Sequence, residues 1–292
     1  MLWFSGILLL AAAPSAAQDM PLSDVLIDGE GWQTVSQTFK GIRGMTSDRK
    51  GNVFVADQYG RRIMRLGKDG RATLYAQLDS RILGLCFGPD GRLYGCQPDK
   101  HRIVALDARG KIKPVTEKVA AWDLVVTQQG AIYCSSPGHA AIYRVSPRGR
   151  VRRVDQGSTV PTGLALWPDQ GTLVVGHTGG RYLWAYRIDK DGGLSSKERY
   201  YALRNSSSRV LARSPGLTVD SKGRVYAPSP EGVQIFDPTG RLCGVLAKPE
   251  VGDQIGVAFG GAKRNLLYTG CGDRVYFRKT KARGVAPPGK GK

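Results

Sequence analysis

Residues 84–110, GLCFGPDGRLYGCQPDKHRIVALDARG, set the pattern for most of the chain. Three apolar runs, LCF, RLYGC and RIVAL, are separated by the polar breaks PDG, QPDKH and DARG. Aromatic and β-branched residues suit extended backbone, and Gly, Pro and Asp suit turns. The stretch therefore predicts three short antiparallel strands.

The same pattern returns along the chain. Copies start at Gly44, Gly84, Asp123, Gly163, Gly216 and Gly256, at steps of 40, 39, 40, 53 and 40 residues. The first turn glycine falls at Gly51, Gly91, Gly130, Gly171 and Gly223, and the sixth copy has none there. A repeat of ~40–45 residues with several strands per unit is the signature of a β-propeller. The expected fold is all-β, a six-bladed propeller of four-stranded antiparallel blades over residues 32–281. The long step holds an insertion at 204–213. The alternating run WQTVSQTF at 32–39 lies outside the repeat, and the last copy shows only three strands. The N-terminal strand is therefore expected to close the ring, which removes exposed sheet edges.

The flanks read differently. Residues 1–17 are apolar and end in Ser15-Ala16-Ala17, which predicts a signal peptide cleaved near Ala17, although no Lys or Arg precedes the apolar run. Export, to a periplasm or outside the cell, is the expectation. The run at 2–13 is too short to span a bilayer, and the mature chain is expected to hold no transmembrane segment. Residues 18–31 read as a linker, and 282–292 as a basic disordered tail.

Charge narrows the partners. The 292 residues include 43 Lys and Arg against 24 Asp and Glu, a net charge of +19. Such a balance invites nucleic acid. The basic residues are scattered through the turns and outer strands of every blade, without interleaved aromatics. Specific nucleic-acid binding is not expected; weak attraction to anionic surfaces is. Five cysteines without regular spacing give neither a disulfide framework nor a zinc site. Cys86 and Cys96 share a hairpin, where a bridge is conceivable; the alternative is small buried residues. Asp189-x-Asp191-Gly192 hints at a calcium loop but lacks flanking helices, so it reads as a β-turn.

In a propeller, the entry residues of the inner strands ring one mouth of the central channel. Register makes these Arg43, Leu83, Trp122, Thr162, Pro215 and Ile255. The blade signatures GEGWQTVSQTFKGIRG, DLVVTQQGAIY, WPDQGTLVVGHTGGRYLWAY, GLTVDSKGRVYAPSPEGVQIFD, VAFGGAKRNLLYT and DRVYFRKTKARGV resemble the senescence-marker-protein/gluconolactonase (regucalcin-like) family. The resemblance runs from residue 26 to about 285. It implies a six-bladed propeller that hydrolyses sugar lactones with a calcium or zinc ion in the channel mouth.

The resemblance also implies which positions would hold that metal, and these are substituted. Arg43 stands where the family has a metal-binding Glu. Trp122 stands for an Asn, with the neighbouring Asp123 kept. Thr162 replaces a metal-ligating Asn, and Pro215 replaces the Asp that ligates metal and acts as general base. His177 matches an Asp of blade four, and Leu83 and Ile255 or Gly256 stand where Asn often occurs. Calcium wants six or more hard oxygens. This ring offers one hydroxyl, four apolar side chains and a guanidinium. At ~5 Å, and an effective dielectric of ~20, a guanidinium costs a dication several kcal/mol.

The first expectation is thus a binding protein without a cofactor, taking an anionic or sugar-like small molecule, or a protein partner, at the channel mouth. A second is a lactone hydrolase of gluconolactonase type, using calcium or zinc in a rearranged site built from Asp123, His177 or Asp57. A third is an interaction scaffold. The bland readings are a solvated rim histidine for His177 and a solvated turn carboxylate for Asp57. Neither a GxSxG elbow nor a glycine-rich phosphate loop is present.

Overall fold

The computed structural model describes residues 20–67, 70–157, 159–204, 216–252 and 254–289. The signal-peptide segment, most of the 204–213 insertion and Pro215 lie outside the described residues. The fold is a six-bladed propeller of four-stranded antiparallel sheets. Inner strands are Ile42–Ser47, Leu85–Phe87, Asp123–Val126, Val160–Leu166, Thr218–Val219 and Gln254–Gly260. Gln33–Thr38 pairs antiparallel with Arg274–Lys279, with Gln33 opposite Phe277, and supplies the outermost strand of blade six.

The alternating pattern becomes intelligible once both faces of each sheet are buried. In blade one, Val53 and Val55 pack toward blade six, whereas Phe54 and Ala56 pack toward blade two. Successive side chains of a strand point to opposite faces, so one strand feeds two cores. Second strands are accordingly buried at every position in blades one, two, three and five. Six such apolar clusters fill the six seams between neighbouring blades.

The turn after each inner strand needs one left-handed residue. Gly51, Gly91, Gly130 and Gly223 supply it, with φ of 83°, 78°, 77° and 80°. In blade four the position falls on Gln170 (φ 59°), one residue before the glycine that the sequence suggests, and in blade six on Arg264 (φ 53°). Their N–H groups close the same turn, to Trp167 O at 2.8 Å and Gly261 O at 2.9 Å. Non-glycine residues adopt this conformation only at a cost, so the fold imposes the turn even where the sequence does not favour it.

The described parts of both flanks pack on the propeller. The linker region carries a short 3-10 turn at Leu22–Asp24, and Val25 is fully buried against blades five and six. Residues 282–289 do not trail into solvent. Ala282 is buried, the Ser221 N–H donates to Arg283 O (2.7 Å), and the Gly284 N–H donates to Arg264 O (2.8 Å). The segment then crosses the far end of the channel, where Val285 to Pro288 line the cavity beside all six inner strands. The Gln128 side chain of blade three donates to Gly289 O at 2.6 Å.

All five cysteines are free, so Cys86 and Cys96 form no bridge. Burial pushes the Cys86 and Cys134 thiols up to about 12, which disfavours their thiolates. The Asp189–Asp191 segment is a tight turn: Gly192 N–H donates to Asp189 O and Gly193 N–H to Asp191 Oδ1. No described helix is long and apolar enough to cross a membrane.

Candidate functional site

The channel mouth holds a cleft of 460 Å³ that brings together three of the six ring residues, Arg43, Leu83 and Trp122. Leu83 is buried; Arg43 and Trp122 are partly exposed. Thr162 is buried and Ile255 half-buried, and neither lines this cleft. The rest of the wall comes from loops that follow second strands, Gln58-Tyr59 and Pro98-Asp99, together with Arg81 and His101. These loops were missed from sequence. The available signal was topological: a loop after the second strand returns to the end where the inner strand began. Tyr59 is 61% exposed at the rim, with one edge of its ring against Gly41.

Carboxylates are present, but each is engaged. Arg81 grips Asp99 with two hydrogen bonds, Nε to Oδ2 at 2.7 Å and Nη2 to Oδ1 at 2.5 Å, and holds its carboxyl below the usual range. Asp57, read from sequence as a solvated turn residue or a mouth ligand, is neither. It is fully buried, accepts Lys40 N–H and Gly41 N–H on Oδ1 (3.0 Å each) and pairs with Arg62 Nε at 2.8 Å. It ties the strand end to the loop that enters blade one.

Asp123 lies deeper, buried within the channel. Its Oδ2 accepts Leu164 N–H at 2.8 Å, and the amides of Leu124 and Gly216 also favour its charged form. A Cβ on Gly84 would stand 2.5 Å from its Oδ1. The carboxylate thus touches blades two, four and five and acts as a tie across the channel. Burial outweighs the amides and pushes its pKa up to about 6.

His177 is not a solvated rim residue: it is 2% exposed, edge-on to Trp184 at 5.7 Å. Neither ring nitrogen makes a hydrogen bond of ordinary geometry, although the Val160 backbone lies near enough to favour the charged ring slightly. Burial first, and then Lys197, hold its pKa down at about 4. Asp57, Asp123 and His177 are not brought together.

These shifts have opposite consequences for pH. The raised Asp123 gives stability that is complete below its unfolded value of 3.8 and lost as pH rises through about 6. The depressed His177 gives stability that is complete above 6.5 and lost as pH falls through about 4. Between those limits the two slopes oppose one another. Relative to the parent, Asp123→Asn is expected to gain about 3 kcal/mol as pH rises from ~4 to ~6.5, and His177→Phe to lose about as much. Urea unfolding of both variants and the parent across that range checks this. Parallel difference profiles would contradict it.

A divalent metal fits these residues poorly. Among the described residues no three His, Cys, Asp or Glu side chains are grouped to hold an ion. Asp99 is committed to Arg81, Asp123 to backbone amides, and Arg43 brings positive charge to the cleft. Calcium needs six or more oxygens with open lone pairs. What the cleft does offer is a guanidinium, the Gln58 amide and two aromatic faces. This set suits a carboxylate or a polyhydroxylated ring.

Comparison with known proteins agrees with this architecture. The model of the SMP-30/Gluconolactonase/LRE-like region matches residues 43–270. The gluconolactonase of Zymomonas mobilis is 25% identical over 233 residues, covering 69% of this chain and 64% of that protein. The pentonolactonase of Haloferax volcanii is 28% identical over 198 residues, covering 65% and 66%. The chain thus spans just under two thirds of the length of these curated relatives. Among solved structures, a gluconolactonase from Xanthomonas campestris superposes with a TM-score of 0.78 at 23% identity, covering 89% of this chain and 92% of that one. The calcium-binding regucalcin of Agrobacterium tumefaciens gives 0.71 at 16%, covering 89% and 97%. At such identities these superpositions speak to fold.

Proposed function

The chain belongs to the SMP-30/gluconolactonase/LRE-like family, and from that premise we propose that its channel mouth binds an anionic, sugar-acid-like small molecule without the family's divalent ion. One observation carries the reading: Arg43 and Trp122 stand together in the mouth cleft, at positions where the family resemblance implies Glu and Asn. A guanidinium attracts a carboxylate and repels a dication at the same place. Trp122 and Tyr59 supply faces on which a sugar ring can lie. The proposal includes export of the chain after cleavage near Ala17.

A second reading, a metal-dependent lactone hydrolase with a rearranged site, is supported by the relatives, which are a gluconolactonase and a pentonolactonase. Calorimetric titration of the full chain with calcium, zinc and gluconate, run beside a gluconolactone hydrolysis assay, separates the two. The expected result is saturable heat with gluconate, none with either cation, and no turnover above the spontaneous rate. Stoichiometric cation binding accompanied by turnover would replace the first reading with the second.

A further inference from the structure

The face opposite the mouth carries a second cleft, of 480 Å³, at the end of blade five. Lys222, Arg224, Lys281 and Arg283 line it, with the hydroxyls of Ser23 and Ser221. Asp24 is the one acid among its described lining residues. Arg224 is paired with Asp220, and the remaining three cations against Asp24 still leave the concavity net positive, with a buried guanidinium in its wall.

The environment of Arg224 sets it apart from its counterpart in blade two. There, Arg92 bonds Asp90 Oδ2 through Nε and Tyr94 Oη through Nη2, and its side chain is 43% exposed. In blade five, Arg224 Nε bonds Asp220 Oδ2 at 2.7 Å, but the side chain is only 2% exposed. The blade end here meets the Leu22–Asp24 turn and residues 281–283, held by Ser221 N–H to Arg283 O and Lys281 N–H to Val25 O. Asp220 has no acceptor capacity left. Its Oδ1 takes Lys222 N–H (2.9 Å) and Arg224 N–H (3.0 Å), and its Oδ2 takes Arg224 Nε and Tyr226 Oη (3.0 Å). Nη1 of Arg224 is consequently buried without a hydrogen-bond partner. An unmet donor on a buried charge is costly, and a ligand in the adjoining cleft is the natural way to meet it.

We infer that this cleft is a binding site for a phosphate-class oxyanion, anchored by Arg224 and flanked by Lys222, Lys281 and Arg283. A tetrahedral oxyanion offers the acceptors that Asp220 lacks, and charge-assisted bonds from guanidinium to such oxygens are strong. The exposed lysines add attraction that salt screens. The oxyanion can be free phosphate or the phosphodiester of an acidic lipid, which the charge of +19 would also attract. The site is independent of the mouth and of any reaction there.

The test uses the full chain at low ionic strength. Inorganic phosphate is titrated calorimetrically into the parent, into Lys222→Ala/Arg283→Ala and into Arg43→Gln. Flotation with phosphatidylglycerol or phosphatidylcholine vesicles runs in parallel. Both altered positions of the double variant are exposed, so its circular dichroism and melting are expected to match the parent. Phosphate affinity is expected to fall at least ~10-fold in the double variant, the scale of losing two charges near an anion, and to be unchanged in Arg43→Gln. Capture by phosphatidylglycerol alone, lost in the double variant, with phosphate silent, would assign the oxyanion to a lipid. Binding of neither probe, or equal binding by parent and double variant, would overturn the inference.

Discussion

Asp220→Ala is expected to lower the unfolding free energy by about 3–5 kcal/mol, the range for breaking a buried ion pair from one side. The carboxylate serves four donors at once, two backbone amides, Arg224 Nε and Tyr226 Oη, at 2.7–3.0 Å. Its removal leaves the guanidinium charged and buried, with a phenol and two amides unmet. Arg224→Met is expected to cost less, because Asp220 keeps three of its donors and a methionine stem fills much of the space. Urea midpoints for the two variants and the parent, with m-values compared, decide the point. A loss below ~1 kcal/mol for Asp220→Ala would mean that the carboxylate is not the hub of this turn.

Reversing charge at the mouth is expected to change ion preference by a comparable amount. Arg43→Glu with Thr162→Asn and Pro215→Asp would put two carboxylates and an amide where the family resemblance implies metal ligands. At ~5 Å and an effective dielectric of ~20, replacing a guanidinium by a carboxylate alters the interaction with a dication by several kcal/mol, or at least a thousandfold in affinity. Calcium binding is expected to emerge in calorimetry of the triple variant and to be absent in the parent. Gluconate binding is expected to weaken in the same variant. Equal calcium affinity in variant and parent would show that these positions do not share a site.

The fold was legible because its rules are local. Strand periodicity, turn glycines and a step of 39 or 40 residues need no knowledge of distant contacts, and the unpaired run at 32–39 announced the closure. The phase of the blade-four turn was not legible, since Gln170 rather than Gly171 takes the left-handed position; tertiary pairing overrode residue preference there. The site was read only in part. Of the six positions taken from register, Arg43, Leu83 and Trp122 line one cleft, and Thr162 and Ile255 do not. Burial was not readable from composition: Asp57 and His177 sit at or near strand ends, where an exposed polar residue is the ordinary expectation, yet both are buried. The residues after 281 looked like a solvated basic tail because Lys, Gly and Pro dominate them. Residues 282–289 dock through main-chain bonds to blades five and six and through the Gln128 side chain of blade three, partners remote in sequence that local pattern does not reveal.

The seam at blade six sets the order in which the molecule can be completed. Its outermost strand, Gln33–Thr38, is made first and its partner, Arg274–Lys279, last. A nascent chain can stack five blades while it is still being made, but the circle stays open until residue 279 is available. The span between these partners is nearly the whole propeller, the longest sequence separation of any described strand pair. An early strand that must wait for a late partner is a nascent-chain hazard.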